Sequence, residues 1–525
     1  MILLHNARNQ PQNPGNPPAS AIVIDQGRII AVGGDELLAM YPQAAKQDLK
    51  QRVVMPGLTD AHIHLQLYAL NREKIDCELP TKGEILNRVA ETVKVARSGE
   101  WIVGHGWNQN AWGGEWPTAA DLDAVAPVNP VYLTAKSLHA GWANTSAMRR
   151  AKIKKRRHNP AEGIIQRDGR GAITGILLEK AMNLVESVIP KPHPEDLADI
   201  FEKIIPDLWK MGLTGVHNFD RELSFRALQI LNKRGGLHLR VLQSIPREDL
   251  SAFSRLGLRG GIGDDMLRIG PLKLFADGAL GPHTAAMFDP YVDEAENRGI
   301  LLLTAKEILE LGKEAAHCGL ALAVHAIGDR AVREVLDGFS LLRAYEKEHK
   351  LPALRHRIEH VQVIHPADQA RLADLGVIPS MQPCHAPSDM DAAEKSWGRR
   401  SSLAYAWQTQ LQNGARLAFG SDAPVEDPNP FWGLYAAVTR RRADGMPGPD
   451  GWYPEQRLSV RQAVEAFTTG AAYVAGMEDR LGCLAVGYLA DLIVLDHDPF
   501  DSSPVELRQI QPVATMVAGE WVWQT

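Results

Sequence analysis

Eight short apolar runs, separated by segments of helical periodicity, set the strongest limit on what this chain can fold into. They are LTDAHIHL (58–65), LTGVHNF (213–219), LRVLQSI (239–245), GPLKLFADG (270–278), LALAVHAIGD (320–329), HRIEHV (356–361), GVIPSMQP (376–383) and RLAFGSD (416–422). This alternation is the pattern of repeated strand–helix units, and a helical crossover between neighbours makes the strands parallel. Eight such units point to an α/β fold, a closed (β/α)8 barrel of the TIM type, rather than an open doubly wound sheet. Between two of the runs, AKEILELGKEAAHCG (305–319) places apolar residues at three- and four-residue intervals, as an amphipathic helix requires.

At 525 residues the chain is longer than one ordinary compact core, so elements beyond the barrel are expected. The stretch 20–33, punctuated by Asp25, Gln26 and Gly27, reads as a hairpin, and 487–496 and 512–523 repeat its texture. Neither terminal piece has enough strands to bury a face alone. Residues 1–54 and 480–525 are therefore expected to combine into one small β-sandwich, leaving the barrel over 55–479. A ninth strand candidate, PVYLTAKSL (130–138), falls in an insertion of about 68–205 after the first barrel strand, since loops at a barrel face tolerate additions.

A hydrophobic fraction of 45% and a charged fraction of 23% exclude a mainly disordered or fibrous chain. The net charge of -6 gives no global attraction to nucleic acid or anionic lipid, so neither is expected as a partner. The basic run RRAKIKKRRH (149–158) reads as a solvated face, with a polyanion patch as its alternative. Cys77, Cys318, Cys384 and Cys483 form no CxxC pair, which argues against a disulfide framework or a thiolate zinc site. The start MILLHNARNQ lacks the flank of a signal peptide, and no uninterrupted apolar run reaches the roughly 18 residues of a membrane span. A cytoplasmic protein is expected.

The chemistry lies where the strands end. His62 and His64 flank one residue of a strand, so both imidazoles project to the same side and can share a cation. By itself an HxH pair is equally a structural feature. Position adds the signal: His325 ends LALAVHA, His360 ends RIEH and Asp422 ends RLAFGSD, so these groups meet at one rim of a parallel barrel. An ionised carboxylate among imidazoles there is costly unless a divalent cation compensates it. Lys273, inside PLKLFADG, must lose its proton, find a carboxylate or react. Addition of carbon dioxide would give a carbamate able to bridge two metals, whereas a salt bridge to Asp277 is the structural alternative.

These residues sit in segments that together resemble the amidohydrolase superfamily, most closely its YtcJ-like branch, which includes N-substituted formamide deformylases. The matching segments are MPGLTDAHIHL (55–65), GHGWNQNAW (104–112), KLFADGALG (273–281), HAIGDRAV (325–332), HRIEHVQ (356–362), SMQPCHAPSD (380–389), AYAWQTQLQNGARLAFGSDAPVE (404–426) and GYLADLIVLD (487–496). The resemblance implies a barrel carrying one or two divalent metal ions, with zinc preferred for its imidazole ligands. It implies that His62, His64 and Asp422 bind one cation and His325 and His360 the other, with carboxylated Lys273 between them. Where many members carry a Ser and an Arg, this chain reads Pro282 and His283, which marks His283 as a substrate contact of its own. His385, after the seventh strand, and Trp107, in the insertion, are further substrate-contact candidates. His139, also in the insertion, is a candidate for polarising an oxyanion or leaving group. Asp422 is the candidate proton carrier, and at least one of Arg357 and Glu359 is expected to serve as scaffold beside His360. Cys384 reads as a buried structural thiol.

The function implied is hydrolysis of a non-peptide carbon–nitrogen bond in a small molecule by a metal-activated hydroxide. The alternatives are a mononuclear metal-dependent deaminase and a non-catalytic barrel scaffold. A homodimer is the expected assembly.

Overall fold

A computed structural model of the protein describes residues 1–10, 19–135, 140–154, 157–160, 163–292 and 294–525. The chain divides into two compact units, one of Met1–Tyr68 with Pro194–Thr525 and one of Ala69–His193.

Eight parallel strands make the centre of the first unit: β1 (Leu58–Ile63), β2 (Leu213–Asn218), β3 (Arg240–Pro246), β4 (Leu267–Phe275), β5 (Leu322–Ala326), β6 (Arg357–His360), β7 (Ile378–Met381) and β8 (Ala418–Phe419). Each pairs with the next in sequence order, and a bridge from Ile63 to Ala423 brings the first strand to the end of the last. The result is the TIM-type barrel that the apolar runs predict. Every residue of β1, β2, β6 and β7 is buried, as strands covered on both faces must be. β4 starts at Leu267, three residues before the run read from sequence, because Gly270 and Pro271 look like a strand opening. They instead interrupt the ladder within the strand, where the register against β3 shifts between Gln243 and Ile245.

Closure of the barrel depends on one glycine. A Cβ at Gly420 would stand 2.4 Å from the His62 backbone nitrogen, so any larger residue would separate β8 from β1. Beside it, buried Asp60 accepts hydrogen bonds from the His62 and Ser421 backbone N–H groups, each at 3.0 Å, which ties the two strand ends together.

The helix Pro194–Lys210 presents Leu197, Phe201, Ile204, Ile205 and Leu208 as a buried stripe and packs on β2 and the helix Glu222–Lys233. The sequence reading carried the insertion to residue 205, but this helix belongs to the barrel unit.

Two sheets lie beside the barrel. One orders Arg28–Gly33, Ala21–Asp25, Ile2–His5 and Ala45–Asp48; the other orders Arg8–Asn9, Val53–Pro56, Leu492–Leu495, Pro512–Val517 and Glu520–Gln524. Leu4, Ile22, Ile24, Val54, Leu492, Val494 and Met516 form a shared apolar core. Buried Arg240, which opens β3, forms a two-pronged ion pair with buried Asp491, the Nη2–Oδ1 contact being 2.8 Å. Thr515 Oγ1 donates to the Trp209 carbonyl at 2.7 Å.

The second unit carries its own six-stranded sheet, ordered Gly163–Arg167, Ile173–Glu179, Ala140–Ala143, Val131–Ala135, Ile102–Trp107 and Ile75–Asp76. The ninth strand read from sequence is its member Val131–Ala135. Within the basic run, Arg149 and Arg150 end the helix Thr145–Arg150, while Lys155 and Arg156 lie outside the described residues. Among the described residues no helix is long and apolar enough to cross a membrane.

Candidate metal centre

One cavity of about 440 Å³ at the carboxyl ends of the strands is lined by His62, His64, Lys273, His325, His360, His385 and Asp422. Seven residues from five strand ends and one following helix thus meet in a single space. The strands place them: His62 lies in β1 and His64 just past it, Lys273 in β4, His325 in β5 and His360 at the end of β6. Asp422 follows β8, and its N–H donates to the His62 carbonyl at 2.7 Å. His360 and Asp422 both adopt left-handed backbone conformations, with φ of 76° and 60°. Non-glycine residues reach that region at a cost that surrounding structure must offset, a pattern common at functional sites.

The imidazoles are packed together, with ring centroids 4.9 Å apart for His62 and His360 and 4.6 Å apart for His325 and His360. Each has one nitrogen committed elsewhere. His62 Nδ1 meets Glu359 Oε2 at 2.6 Å, His360 Nδ1 meets Gln382 Oε1 at 2.8 Å, and His325 Nε2 meets the Gly278 carbonyl at 2.8 Å. His64 Nδ1 is 3.5 Å from Asp220 Oδ1. Such partners fix the tautomer and leave the second nitrogen facing the cavity. His62 Nε2 and His64 Nε2 stand 3.5 and 3.4 Å from Asp422 Oδ1.

Charge follows burial. Burial, with Lys273 adding to it, pushes His62 and His325 down to about 4, so both present neutral rings, the form that binds a metal. Burial also holds His360 well below its ordinary value, with His325 contributing. For Asp422, burial favours the neutral acid, but the adjoining His62 and the His64 hydrogen bond outweigh it and hold the carboxyl well below its usual range. His64 shows the converse: burial opposes its charge, yet Asp220 and Asp422 carry it up to about 9. A proton on His64 therefore supplies the positive charge that these acids demand, a role that a cation can take over.

Lys273 is buried, with Nζ standing 4.4 Å from the Phe219 ring centroid and 5.0 Å from that of Phe275. Asp277, its alternative partner, accepts instead from the backbone N–H groups of Ala286, Ile327 and Gly328 at 2.9, 3.0 and 2.8 Å. The acid thereby shapes the loop after β4 and the turn after β5.

A family model described as amidohydrolase family matches residues 46–523. The chain belongs to the amidohydrolase family. This amidohydrolase is 30% identical over 518 residues to the putative amidohydrolase YtcJ of Bacillus subtilis (strain 168), covering 96% of each chain. It is 28% identical over 551 residues to the N-substituted formamide deformylase of Arthrobacter pascens, covering 99% of this chain and 97% of that one. The crystal structure of an uncharacterized metal-dependent hydrolase from Pyrococcus furiosus matches it with a TM-score of 0.80 at 29% identity, over 95% of this chain and 100% of that one.

The residues fit a bound cation. Donor atoms of His62, His360 and Asp422 all lie within 4.8 Å of one another, and His62 Nε2 is buried without a hydrogen-bond partner. An orphaned buried nitrogen beside an ionised carboxylate is the arrangement that a metal completes.

Two residues expected from sequence to touch substrate are built into structure elsewhere in this amidohydrolase. His283 does not line the cavity: its ring stacks on Tyr291 at 4.6 Å, with Nδ1 2.7 Å from Glu294 and Nε2 3.0 Å from Ser396. Both nitrogens are used in holding a loop whose turn needs φ of 52° at this residue. Trp107 is fully buried in the core of the second unit with Leu133, Trp142 and Ile176, and its Nε1 donates to the Leu133 carbonyl at 2.8 Å. No face of the ring is left for a substrate. His139 lies outside the described residues. His385 does line the cavity, with Nδ1 3.4 Å from Gln362 Nε2 and Nε2 buried and unpartnered, 4.0 Å from Asp422 Oδ2.

Sequence reasoning assigned no site role to Asp220, Gln382 or Gln362, the side chains that orient His64, His360 and His385. It expected scaffold work near His360 from Arg357 or Glu359, and both do it. Arg357, fully buried, binds both oxygens of Glu359 and donates to the Ala61 carbonyl and Ser380 Oγ, each at 2.6 Å. Arg357 and His62 together keep Glu359 far below its ordinary pKa against the pull of burial. The available signal was spacing, since Gln382 lies one residue and Gln362 two residues beyond a strand end.

Proposed function

We propose that this amidohydrolase is a metal-dependent hydrolase of a non-peptide carbon–nitrogen bond, in an amide, formamide or cyclic amide. The observation that carries this reading is the meeting of five imidazoles, a buried lysine and an ionised carboxylate in one cavity at the strand ends. In this reading His62, His64 and Asp422 would hold one divalent cation and His325 and His360 a second, and Lys273, as its carbamate, would contribute donor oxygens. Imidazole and carboxylate donors suit zinc. A cation bound there supplies Lewis acidity, polarising a carbonyl oxygen and lowering the pKa of water toward neutrality.

The rest of the work falls to side chains. Burial brings the Lys273 ammonium down to about 8, so a neutral amine is accessible near physiological pH. That nitrogen adds to the carbon of carbon dioxide and loses one proton, giving an anionic group with two donor oxygens. Asp422, held ionised, takes a proton from water as the water oxygen attacks the carbonyl carbon. It returns that proton to the nitrogen as the carbon–nitrogen bond breaks, so the products are a carboxylic acid and an amine. His385 Nε2, buried and without a partner, hydrogen-bonds the substrate.

One observation favours a second reading. The close trio His62, His360 and Asp422 also suits a single cation, the arrangement expected of a mononuclear deaminase. Metal analysis of the purified protein, alongside a screen of formamides, acyl amines, cyclic amides and aminated heterocycles, separates the two. Two metals per chain with amine release supports the hydrolase; one metal with ammonia release supports the deaminase. A metal-free preparation that remains fully active overturns both.

A further inference from the structure

The outer wall of the cavity has a composition that the proton chemistry does not use. Beyond the ring of imidazoles it is lined by the apolar side chains Leu67, Phe275, Leu280 and Val425 and by two carboxylates, Asp389 and Glu426. Lys273 is the one Lys or Arg among the lining residues, and it sits at the inner end beneath Phe219 and Phe275. Asp389 is one helical turn from His385 on the helix His385–Trp397, so both project from the same face into the same space. Its carboxylate is held in place by a hydrogen bond from the buried Tyr405 hydroxyl. Glu426 comes from the loop that follows Asp422.

Neither Asp389 nor Glu426 is paired with a Lys or Arg among the described residues. Burial pushes the Glu426 carboxyl up; a hydrogen bond from Ser388 and the nearby His385 oppose that push, while the neighbouring Asp389 adds to it. Two like charges on a half-buried wall repel each other, and a cation between them relieves the repulsion. A separate observation points to a ligand in the same space: His385, 5% exposed, lines the cavity, and its buried Nε2 has no hydrogen-bond partner, standing 4.0 Å from Asp422 Oδ2. A group bound by His385 at the reacting end extends along the apolar wall toward the two acids.

We propose that the substrate carries a cationic ammonium group, separated by a short apolar spacer from the bond that is cleaved, and that Asp389 and Glu426 receive this ammonium. The inference rests on the hydrolase reading and narrows it to the amides of diamines and related compounds, against amides ending in a neutral alkyl group or a carboxylate. A terminal carboxylate would meet two unneutralised acids, and a neutral alkyl chain would leave them unpaired.

The test uses three formamides of equal length on the purified holoenzyme: a mono-N-formyl α,ω-diaminoalkane, an N-formyl alkylamine and an N-formyl ω-amino acid. Binding is measured by calorimetry, and hydrolysis by amine release. The ammonium compound is expected to bind at least 10-fold more tightly than the alkyl compound. D389N and E426Q are each expected to shrink that ratio toward one by weakening the ammonium compound alone, with the change in KM rather than kcat. Equal binding of the ammonium and alkyl compounds, absence of ammonium binding, or a ratio that survives both variants overturns the proposal. Because binding is read directly, charge selectivity without turnover counts against the hydrolase reading and leaves the ammonium site standing.

Discussion

His62 Nδ1 lies 2.6 Å from Glu359 Oε2, and the carboxylate is gripped in turn by Arg357. The ion pair therefore decides which nitrogen of His62 faces Asp422. It links two strands that are not neighbours in the barrel, β1 and β6, and Arg357 reinforces the link by donating to the Ala61 carbonyl of β1.

Replacing Glu359 by Gln keeps the shape but removes the charge that holds His62 Nδ1–H. Orienting partners of metal-bound histidines typically contribute about 10- to 100-fold to metal affinity, and a loss in that range is expected for E359Q. Competition with a chelator measures it; affinity equal to the parent protein refutes the orienting role.

His325 has one nitrogen committed to the Gly278 carbonyl, leaving Nδ1 for a cation. His325→Ala should lower metal content and reduce turnover by more than the roughly 100-fold upper range of an outer partner. Normal turnover in a folded variant with full metal content removes His325 from the site.

For Lys273 the discriminating change is Lys273→Arg. A guanidinium stays charged and cannot add carbon dioxide, so metal stoichiometry should fall as it does in Lys273→Met. Full stoichiometry in either variant excludes a carbamate ligand.

Cys384 is half-buried rather than fully buried, and desolvation still pushes its thiol far above the ordinary cysteine range, which disfavours a thiolate at neutral pH. Cys384→Ala is expected to keep turnover within about twofold, since an inert thiol contributes packing only. Abolished turnover in a folded C384A protein would reopen nucleophilic catalysis.

The Arg240–Asp491 pair joins the barrel to the five-stranded sheet from inside. Asp491→Ala strands a buried guanidinium and should cost about 3–5 kcal/mol, read as a drop in denaturation midpoint. Replacing both partners by apolar residues should cost less than either single change, which a double-mutant cycle measures.

The barrel was legible because each strand is an apolar run that stops at a polar group, and that stop is also the site. That His62, His64, His325, His360 and Asp422 would meet was readable for the same reason: a parallel barrel collects its strand ends at one rim. The orienting shell was less legible, because Glu359 reaches His62 across the barrel interior and Asp220 reaches His64 from the end of β2. Such pairings depend on register and tilt rather than on spacing in one strand. His283 and Trp107 lie in segments that resemble the family, but resemblance gives a residue's position in a motif and not the direction of its side chain. The Pro194–Lys210 helix was assigned to the insertion for a related reason: its apolar stripe shows that it packs, but not on which core.

The five-stranded sheet sets Val53–Pro56 directly against Leu492–Leu495. During synthesis, the amino-terminal strand emerges from the ribosome long before its partner exists. Until residues 492–495 have been made, that side of the strand has no partner in the chain. Agents that capture exposed strand edges should act on the growing chain and spare the finished one.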